Sequence, residues 1–351
     1  MDKTNQNHSN KYDKVLPRDL ILSSMTEGVM VIDNNHNILM INNSAASYLD
    51  LEIDSPIGMS ADKVIKNSDF LSLLKKLYKK NEPIIDEIKI KKNTDRFFLV
   101  NARILHGEYS GVLVVMNEIT KLKQLEKVRQ QFVANVSHEL KTPITSIVGF
   151  LETLKQKNIP KEKQKSFLKK ALKHSNRLNA IIDDLLWLSL IESREDDKNF
   201  HLIPQKLIQI IEGAHDDVQS MAEKNENTIE INCDPSLEIN ADSQLFREAI
   251  INLLGNAIKY GSKSKPIKVI VEKSDRLCIH VQNQGEPIPE KYKETIFHRF
   301  SRIDKSRSRE KGGTGLGLAI VKHIIFVHDG EITVESSAER GTTFTISLPF
   351  V

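Results

Sequence analysis

Between residues about 20 and 118 the apolar positions fall in short, partly alternating runs. "GVMVID", "HNILMIN", "IIDEIKIKK", "RFFLVNARIL" and "GVLVVMNEIT" predict five strands, the first two joined by a turn at "NN". "AASYL" and "FLSLLKKLYKK" predict helices between them. From Ile119 the period lengthens to that of a helix. Val133, Val136, Leu140, Ile147, Phe150 and Leu154 keep a three-to-four spacing, as a coiled-coil seam does. Ile119, Leu122, Leu125 and Val128 form a stripe in another phase, the pattern of a stutter between two seams. "KQKNIPKEK" breaks the pattern, and a second helix carries Leu168, Ala171, Ser175, Leu178, Ile182 and Leu185 at heptad spacing. Two such helices make an antiparallel hairpin. One hairpin cannot enclose a core on both sides, so two chains are expected to pair into a four-helix bundle. "ESREDDKNF" (Glu192 to Phe200) reads as a charged linker, after which helices and strands alternate to the final strand "TTFTISLPF".

The chain has 351 residues, enough for two or three domains, and its 39% apolar and 28% charged residues allow packed cores. A net charge of +3 gives no reason to expect nucleic acid as a partner. Two cysteines, Cys233 and Cys278, make neither a disulfide framework nor a metal cluster, which fits a reducing compartment. No apolar run approaches the roughly 18–20 residues of a membrane span, and the polar start "MDKTNQNHSNKYDK" lacks the apolar stretch of a secretion signal. The expectation is a cytoplasmic protein with a disordered lead-in over 1–17.

Against this background "NVSHELKTPIT" stands out. With Val133, Val136 and Leu140 on the seam, His138 lies about 140° from Val133 and about 160° from Leu140, facing solvent. Thr142 shares its face one turn on, Glu139 is adjacent, and Pro143 removes the N–H that would bond the Glu139 carbonyl, so a bend is expected there. In isolation this would be a surface histidine beside a chance proline. Imidazole can also attack phosphorus through one nitrogen while a carboxylate stabilises the cation that forms.

A phosphate donor is suggested downstream. "NLLGNAIKYG" (Asn252 to Gly261) places Asn252, Asn256 and Lys259 on one edge of a helix. Asparagine oxygens suit Mg²⁺, Lys259 suits a phosphate, and Tyr260 can pack on a base. "KGGTGLGLAI" (Lys311 to Ile320) has glycines that let backbone approach an anion, and it runs into a helix whose N-terminus offers free N–H groups. It has no P-loop lysine and no surrounding dinucleotide-binding unit.

These motifs carry a resemblance. "FVANVSHELKTPITSIVGFLETL" resembles the phosphoacceptor segment of sensor histidine kinases, and the downstream segments resemble the ATP-binding domain shared by histidine kinases, gyrases, heat-shock chaperones and mismatch-repair ATPases. The five strands with their helices resemble a PAS sensor domain. The chain is similar to the phosphate-sensor kinase group without its membrane span. The resemblance implies that His138 is phosphorylated, that Glu139 is its activating base, and that Thr142 orients water for dephosphorylating the partner. It makes Asn256 the Mg²⁺ ligand. It places Asn252, Lys259, Tyr260, Asn283, Gly285, Arg302, Gly313, Thr314, Gly315, Leu316, Gly317 and Thr343 at the ATP. "NQGEPIP" departs from the D-x-G-x-G pattern: Asn283 stands for the acid that bonds adenine and Pro287 for the second glycine. An asparagine oxygen can still accept that bond, so weaker affinity or looser adenine selectivity is expected.

The implied architecture is α+β and multidomain. It comprises a PAS-like mixed α/β domain (18–118), a helical hairpin for dimerisation and phosphotransfer (119–195), and a GHKL (Bergerat) α/β sandwich (196–351). The implied activity is an ATP- and Mg²⁺-dependent protein-histidine kinase that passes phosphate to an aspartate on a response regulator and also dephosphorylates it. The helix at 118–132 would carry the input signal into the bundle. Two other functions compete. An ATP-hydrolysing clamp would need a glutamate four residues before Asn256, where Asn252 stands and is no base. A phosphatase or scaffold with a degenerate nucleotide site would find support in Asn283. His36 and His106 invite a haem reading, but turn and strand-end positions explain them.

Overall fold

A computed structural model describes residues 18–51, 56–91, 94–107, 110–156, 159–197, 202–303 and 313–349. The lead-in, the hairpin turn at Lys157 and Asn158, and the segment 304–312 lie outside the described residues. The chain divides into two compact units, Met1–Gln131 and Phe132–Val351.

The first unit is a five-stranded antiparallel sheet in the order β2-β1-β5-β4-β3, built from β1 (Gly28–Asp33), β2 (Ile38–Ile41), β3 (Ile84–Lys91), β4 (Asp95–Leu105) and β5 (Gly111–Glu118). All five expected strands form. α1 (Arg18–Ser24) precedes the sheet, and α2 (Asn43–Tyr48), α3 (Ala61–Val64) and α4 (Ser68–Lys80) fall between β2 and β3. In α4 the side chains at Phe70, Leu73, Leu74 and Leu77 follow the helical period and are buried with Met30, Ile32, Phe98, Val100 and Met116 of the sheet. Asn42 ties this unit together. Its Oδ1 accepts from Val29 N and Ala45 N at 2.9 Å each, and its Nδ2 donates to Leu22 O and Glu27 O. All of its common hydrogen-bonding directions are used, which is what a buried amide requires. His36 sits in the β1–β2 turn at φ 66°, bonded to Asp62 at 2.8 Å and stacked on Tyr78. His106 is exposed just past β4. Both are the turn and strand-end positions expected.

The exit from this sheet is firmly held. Ile119 N donates to Phe97 O, Phe97 N donates to Thr120 Oγ1, and Thr120 Oγ1 donates to Glu118. Arg96 pairs with Glu118 and holds its carboxyl below the usual carboxylate range. α5 (Thr120–Leu154) starts from this anchor and runs without a break through Pro143.

In the second unit the remainder of α5 pairs with α6 (Lys161–Asp197) as an antiparallel hairpin. Phe150 stacks against Phe167, and Glu139 meets Arg177. α6 continues into the charged run expected to be a linker: residues 192–197 are helical, and the junction expected at 195/196 falls inside the helix. Leu188 and Ile191 of α6 are buried in the same core as the sheet that follows, which explains why the helix does not end at Glu192. That sheet has the order β11-β12-β10-β9-β7. It comprises β7 (Ile229–Asn232), β9 (Ile267–Lys273), β10 (Leu277–Asn283), β11 (Glu331–Ser337) and β12 (Gly341–Leu348), antiparallel except for the parallel β7–β9 pair. α7 (Leu207–Lys224), α8 (Ser243–Tyr260) and α9 (Gly317–Val327) supply the helical layer, and β6 (Ile203–Lys206) pairs with β8 (Glu238–Ala241) apart from the main sheet. β10 and β12 alternate buried and half-buried positions, as strands covered on one face do. Cys233 and Cys278 are free thiols.

A single chain leaves Ile144, Val148 and Leu151 of α5 exposed, together with Leu168, Leu172, Ile182, Leu186 and Leu190 of α6. The expected seam residues are therefore only partly covered within one hairpin, and Val133, Leu168 and Ile182 stay exposed. Among the described residues, no helix is long and apolar enough to cross a membrane.

Candidate functional site

α8 organises the larger site. Asp242 caps its first turn, accepting from Gln244 N and Leu245 N at 3.1 Å. Its apolar face, including Phe246, Ile250, Leu253, Leu254 and Ala257, is buried, which turns Asn252, Asn256 and Lys259 toward a cavity of about 520 Å³. Two glycines close the end of this helix on the sheet. A side chain at Gly261 would collide with Ala257 O, and one at Gly285 would come within 2.5 Å of Tyr260 O. Their backbones therefore meet in a β-bridge, and Ser262 N donates to Gln284 O at 2.6 Å. Gly285 thus shapes the site through backbone approach and does not line the cavity.

The opposite wall comes from the glycine-rich run. Gly315 has φ +80°, a conformation that favours glycine, and its carbonyl accepts from Phe300 N at 2.7 Å. Leu316 is fully buried and anchors the loop in the core rather than facing the cavity. Gly317 opens α9, where a side chain would strike Asn252 Oδ1. Gly313, Thr314, Gly315 and Gly317 all line the cavity, and the N-terminal N–H groups of α9 belong to the same wall. An anion is favoured at such a helix start.

Asn283 ends β10 at 6% exposure and lines the cavity with Pro287 and Ile288. Its Nδ2 reaches Gln284 O only at 3.4 Å. Tyr260 also lines the cavity and is partly exposed. On β12 the cavity is lined by Thr342, the neighbour of the expected Thr343. Asn283 pairs with Thr342, which is buried and lines the cavity, and strand alternation turns Thr343 to the other face.

The site is electrostatically mixed. Burial pushes the Lys259 amine down, with Asp184 of α6 working against that shift. Burial pushes the Asp184 carboxyl up, opposed by its hydrogen bond to Thr314 and by Lys259. Glu248, one turn before Asn252, is also pushed up, first by burial and then by Asp184. Asn252 Nδ2 donates to Glu248 Oε1 at 2.8 Å and to Glu248 O at 3.0 Å. Asn252 and Asn256 offer amide oxygens, the hard donors that Mg²⁺ takes. Among the described residues no group of three or more His, Cys, Asp or Glu could hold a metal. The donor set therefore fits a cation that arrives with phosphates and keeps waters.

The second site is on α5. His138 is exposed, and Thr142 Oγ1, one turn on, donates to His138 O at 3.1 Å. Pro143 is buried. Glu139 points the other way and is taken up by two guanidiniums: Arg177 Nη2 at 2.8 Å, and Arg302 at 3.2 Å and 3.4 Å. Arg302 also donates to Gly313 O at 2.8 Å and Thr314 O at 2.6 Å, so one side chain links the acid beside His138 to the glycine-rich loop. Nearby Phe132 packs on Phe300 and under Arg299, which pairs with Glu192. Sequence reasoning missed Arg177, Asp184, Glu248 and Thr342. Glu248 alone left a signal, lying one helical turn from Asn252.

Three family profiles match the chain. They are the PAS fold over residues 18–119, the His Kinase A (phospho-acceptor) domain over 128–194, and the histidine kinase-, DNA gyrase B- and HSP90-like ATPase over 241–351. The chain is 29% identical to the sensor histidine kinase WalK of Bacillus subtilis over 342 residues, covering 94% of this chain and 54% of that protein. It is 31% identical to a Staphylococcus epidermidis WalK over 354 residues, with the same coverage. A Staphylococcus aureus WalK matches at 29% over 94% of this chain and 80% of that one. The chain thus spans about half the length of the first curated relatives it matches. The crystal structure of histidine kinase ThkA in complex with response regulator protein TrrA shares the fold, with a TM-score of 0.51 at 22% identity over 96% of this chain and 99% of that one. The chain combines a PAS fold, a His Kinase A phospho-acceptor domain and a histidine kinase-, DNA gyrase B- and HSP90-like ATPase domain, and it is homologous to the WalK sensor histidine kinases.

Proposed function

We propose that the chain is a protein-histidine kinase that transfers the γ-phosphoryl group of ATP to His138 and from there to an aspartate of a response regulator. The observation that carries this reading is the pairing of an exposed histidine on the phospho-acceptor helix with a glycine-lined cavity in the ATPase domain. Phosphoryl transfer is mostly positioning and charge stabilisation, and the cavity supplies both. Asn283 and Tyr260 are suited to the base, and Lys259 and the α9 N-terminus to the phosphates. Asn256, with Asn252 beside it, would hold Mg²⁺, which supplies neutralisation of phosphate charge when bound. The His138 imidazole would form the new N–P bond as the bond to ADP breaks, with Glu139 stabilising the cation once released from its arginines. Arg302 would then be free for the transferring phosphate.

An asparagine at 252 leaves no carboxylate there to activate water, which supports a kinase over an ATP-hydrolysing clamp. A phosphatase activity toward the same regulator is supported by Thr142, exposed on the histidine's face. The TrrA partner of the ThkA structure supports a receiver domain as the acceptor. The uncovered apolar stripe of the hairpin supports a homodimer, and a need for ATP supports a cytoplasmic site of action. Incubation with γ-labelled ATP and Mg²⁺ tests the reading. Label on the protein that survives base and is lost in acid is expected, and acid-stable label would overturn it.

A further inference from the structure

Glu248 has no place in the scheme above, and its position is costly. It is a half-buried carboxylate, pushed up by burial and by Asp184, Asp217 and Asp183. Its hydrogen bond runs to a side chain that the scheme does use. Asn252 Nδ2 donates to Glu248 Oε1 at 2.8 Å.

A terminal amide has two faces of nearly equal shape, one donating and one accepting. An asparagine that rotates freely presents either face to a ligand. A cation accepts only the oxygen. Both hydrogens of the Asn252 NH₂ are taken up by Glu248, one by Oε1 at 2.8 Å and one by its backbone carbonyl at 3.0 Å, so the amide is held by that face and Oδ1 is turned away from the Glu248 side chain. Oδ1 then lies against Gly317, where only the absence of a side chain leaves room for it. Gly317 and Asn252 both line the cavity, at the point where the glycine-rich loop becomes α9. Glu248, Asn252 and Asn256 are spaced at four residues along one edge of α8, so a single helix carries the orienting group and both amides.

We infer that Glu248 is a positioning residue for the cation that accompanies the nucleotide: it fixes the Asn252 amide with its oxygen toward the cavity. It acts through Asn252 and touches neither cation nor phosphate. This rests on the reading of the cavity as a Mg²⁺–ATP site. Outer partners of metal ligands commonly alter metal affinity about 10- to 100-fold when removed.

Calorimetric titration of the full chain with an imido analogue of ATP, once in Mg²⁺ and once in EDTA, tests it. Wild-type protein binds more tightly in Mg²⁺. Glu248→Met loses about 10- to 100-fold of that gain and binds as wild type does in EDTA. Glu248→Gln keeps most of the gain, because its amide oxygen can accept the same bond. In an Asn252→Ala background Glu248→Met changes nothing further, since residues acting through one another are not additive. Should Glu248→Met fail to fold, Glu248→Ala carries the same comparison with a residue favoured in helices. Equal loss in Mg²⁺ and EDTA, an unaltered Mg²⁺ gain, or additive effects with Asn252→Ala would overturn the inference. Wild-type protein that binds no nucleotide under either condition would overturn the nucleotide-site reading itself.

Discussion

Glu139 is shared by two arginines, and this makes an ordering of mutant stabilities predictable. Its side chain is 16% exposed, and those of Arg177 and Arg302 are 10% and 6% exposed. At such burial, solvent screens the charges weakly. Glu139→Leu removes the anion that both guanidiniums share and leaves two buried cations facing the same space. Removing one member of a buried charge cluster in this way costs about 3–5 kcal/mol. Arg177→Met removes its charge-assisted hydrogen bond to Glu139, about 1.5–3 kcal/mol, while Glu139 keeps Arg302. For a unit of this size each kcal/mol moves the melting temperature by about 2–4 °C. Differential scanning calorimetry of the full chain should therefore show the second-unit transition falling by about 10 °C in Glu139→Leu and by about half as much in Arg177→Met. A loss in Arg177→Met equal to or larger than that in Glu139→Leu would refute the bridging role. So would transitions unmoved in both.

Three further outcomes are expected. His328 is buried. Its Nδ1 bonds Ile324 O at 2.6 Å, and its Nε2 accepts from Asp242 N, an arrangement that needs the neutral ring. Burial lowers its pKa below the ordinary 6.5, so only the unfolded chain takes up the proton at first. Stability present above about pH 6.5 should fall as the pH drops toward the folded pKa, by at most about 1.4 kcal/mol per pH unit, and urea titrations of His328→Gln should show a flatter profile. Gly317→Ala forces a methyl group onto Asn252 Oδ1 and should abolish nucleotide binding in calorimetry while the circular dichroism spectrum stays helical and strand-rich. Leu172→Glu with Leu186→Glu places charges on side chains that are 62% and 64% exposed in one chain, and light scattering should report a monomer where the wild type is a dimer.

Much of this could be read from periodicity. Helical phase put His138 outward, and it is exposed. The apolar face of α8 turned Asn252, Asn256 and Lys259 to one edge, and they line one cavity. Local patterns failed where a partner lies far along the chain. The charged run after Glu192 looked like a linker because its composition is polar, yet Leu188 and Ile191 pull that end of α6 into the sheet's core. Which of Thr342 and Thr343 faces the cavity depends on pairing with Asn283, a register that no local pattern encodes. Arg177 and Glu139 meet only through the hairpin fold. Gly285 and Leu316 lie within recognisable motifs, but they act through backbone approach and core packing.

The most direct measurement is phosphorylation of the wild-type protein beside His138→Gln, each incubated with Mg²⁺ and γ-labelled ATP and digested to locate the label. The account predicts acid-labile, base-stable label on the peptide containing His138, and none in the variant. Label of equal extent in His138→Gln, or none in a wild-type dimer that binds ATP, would contradict it.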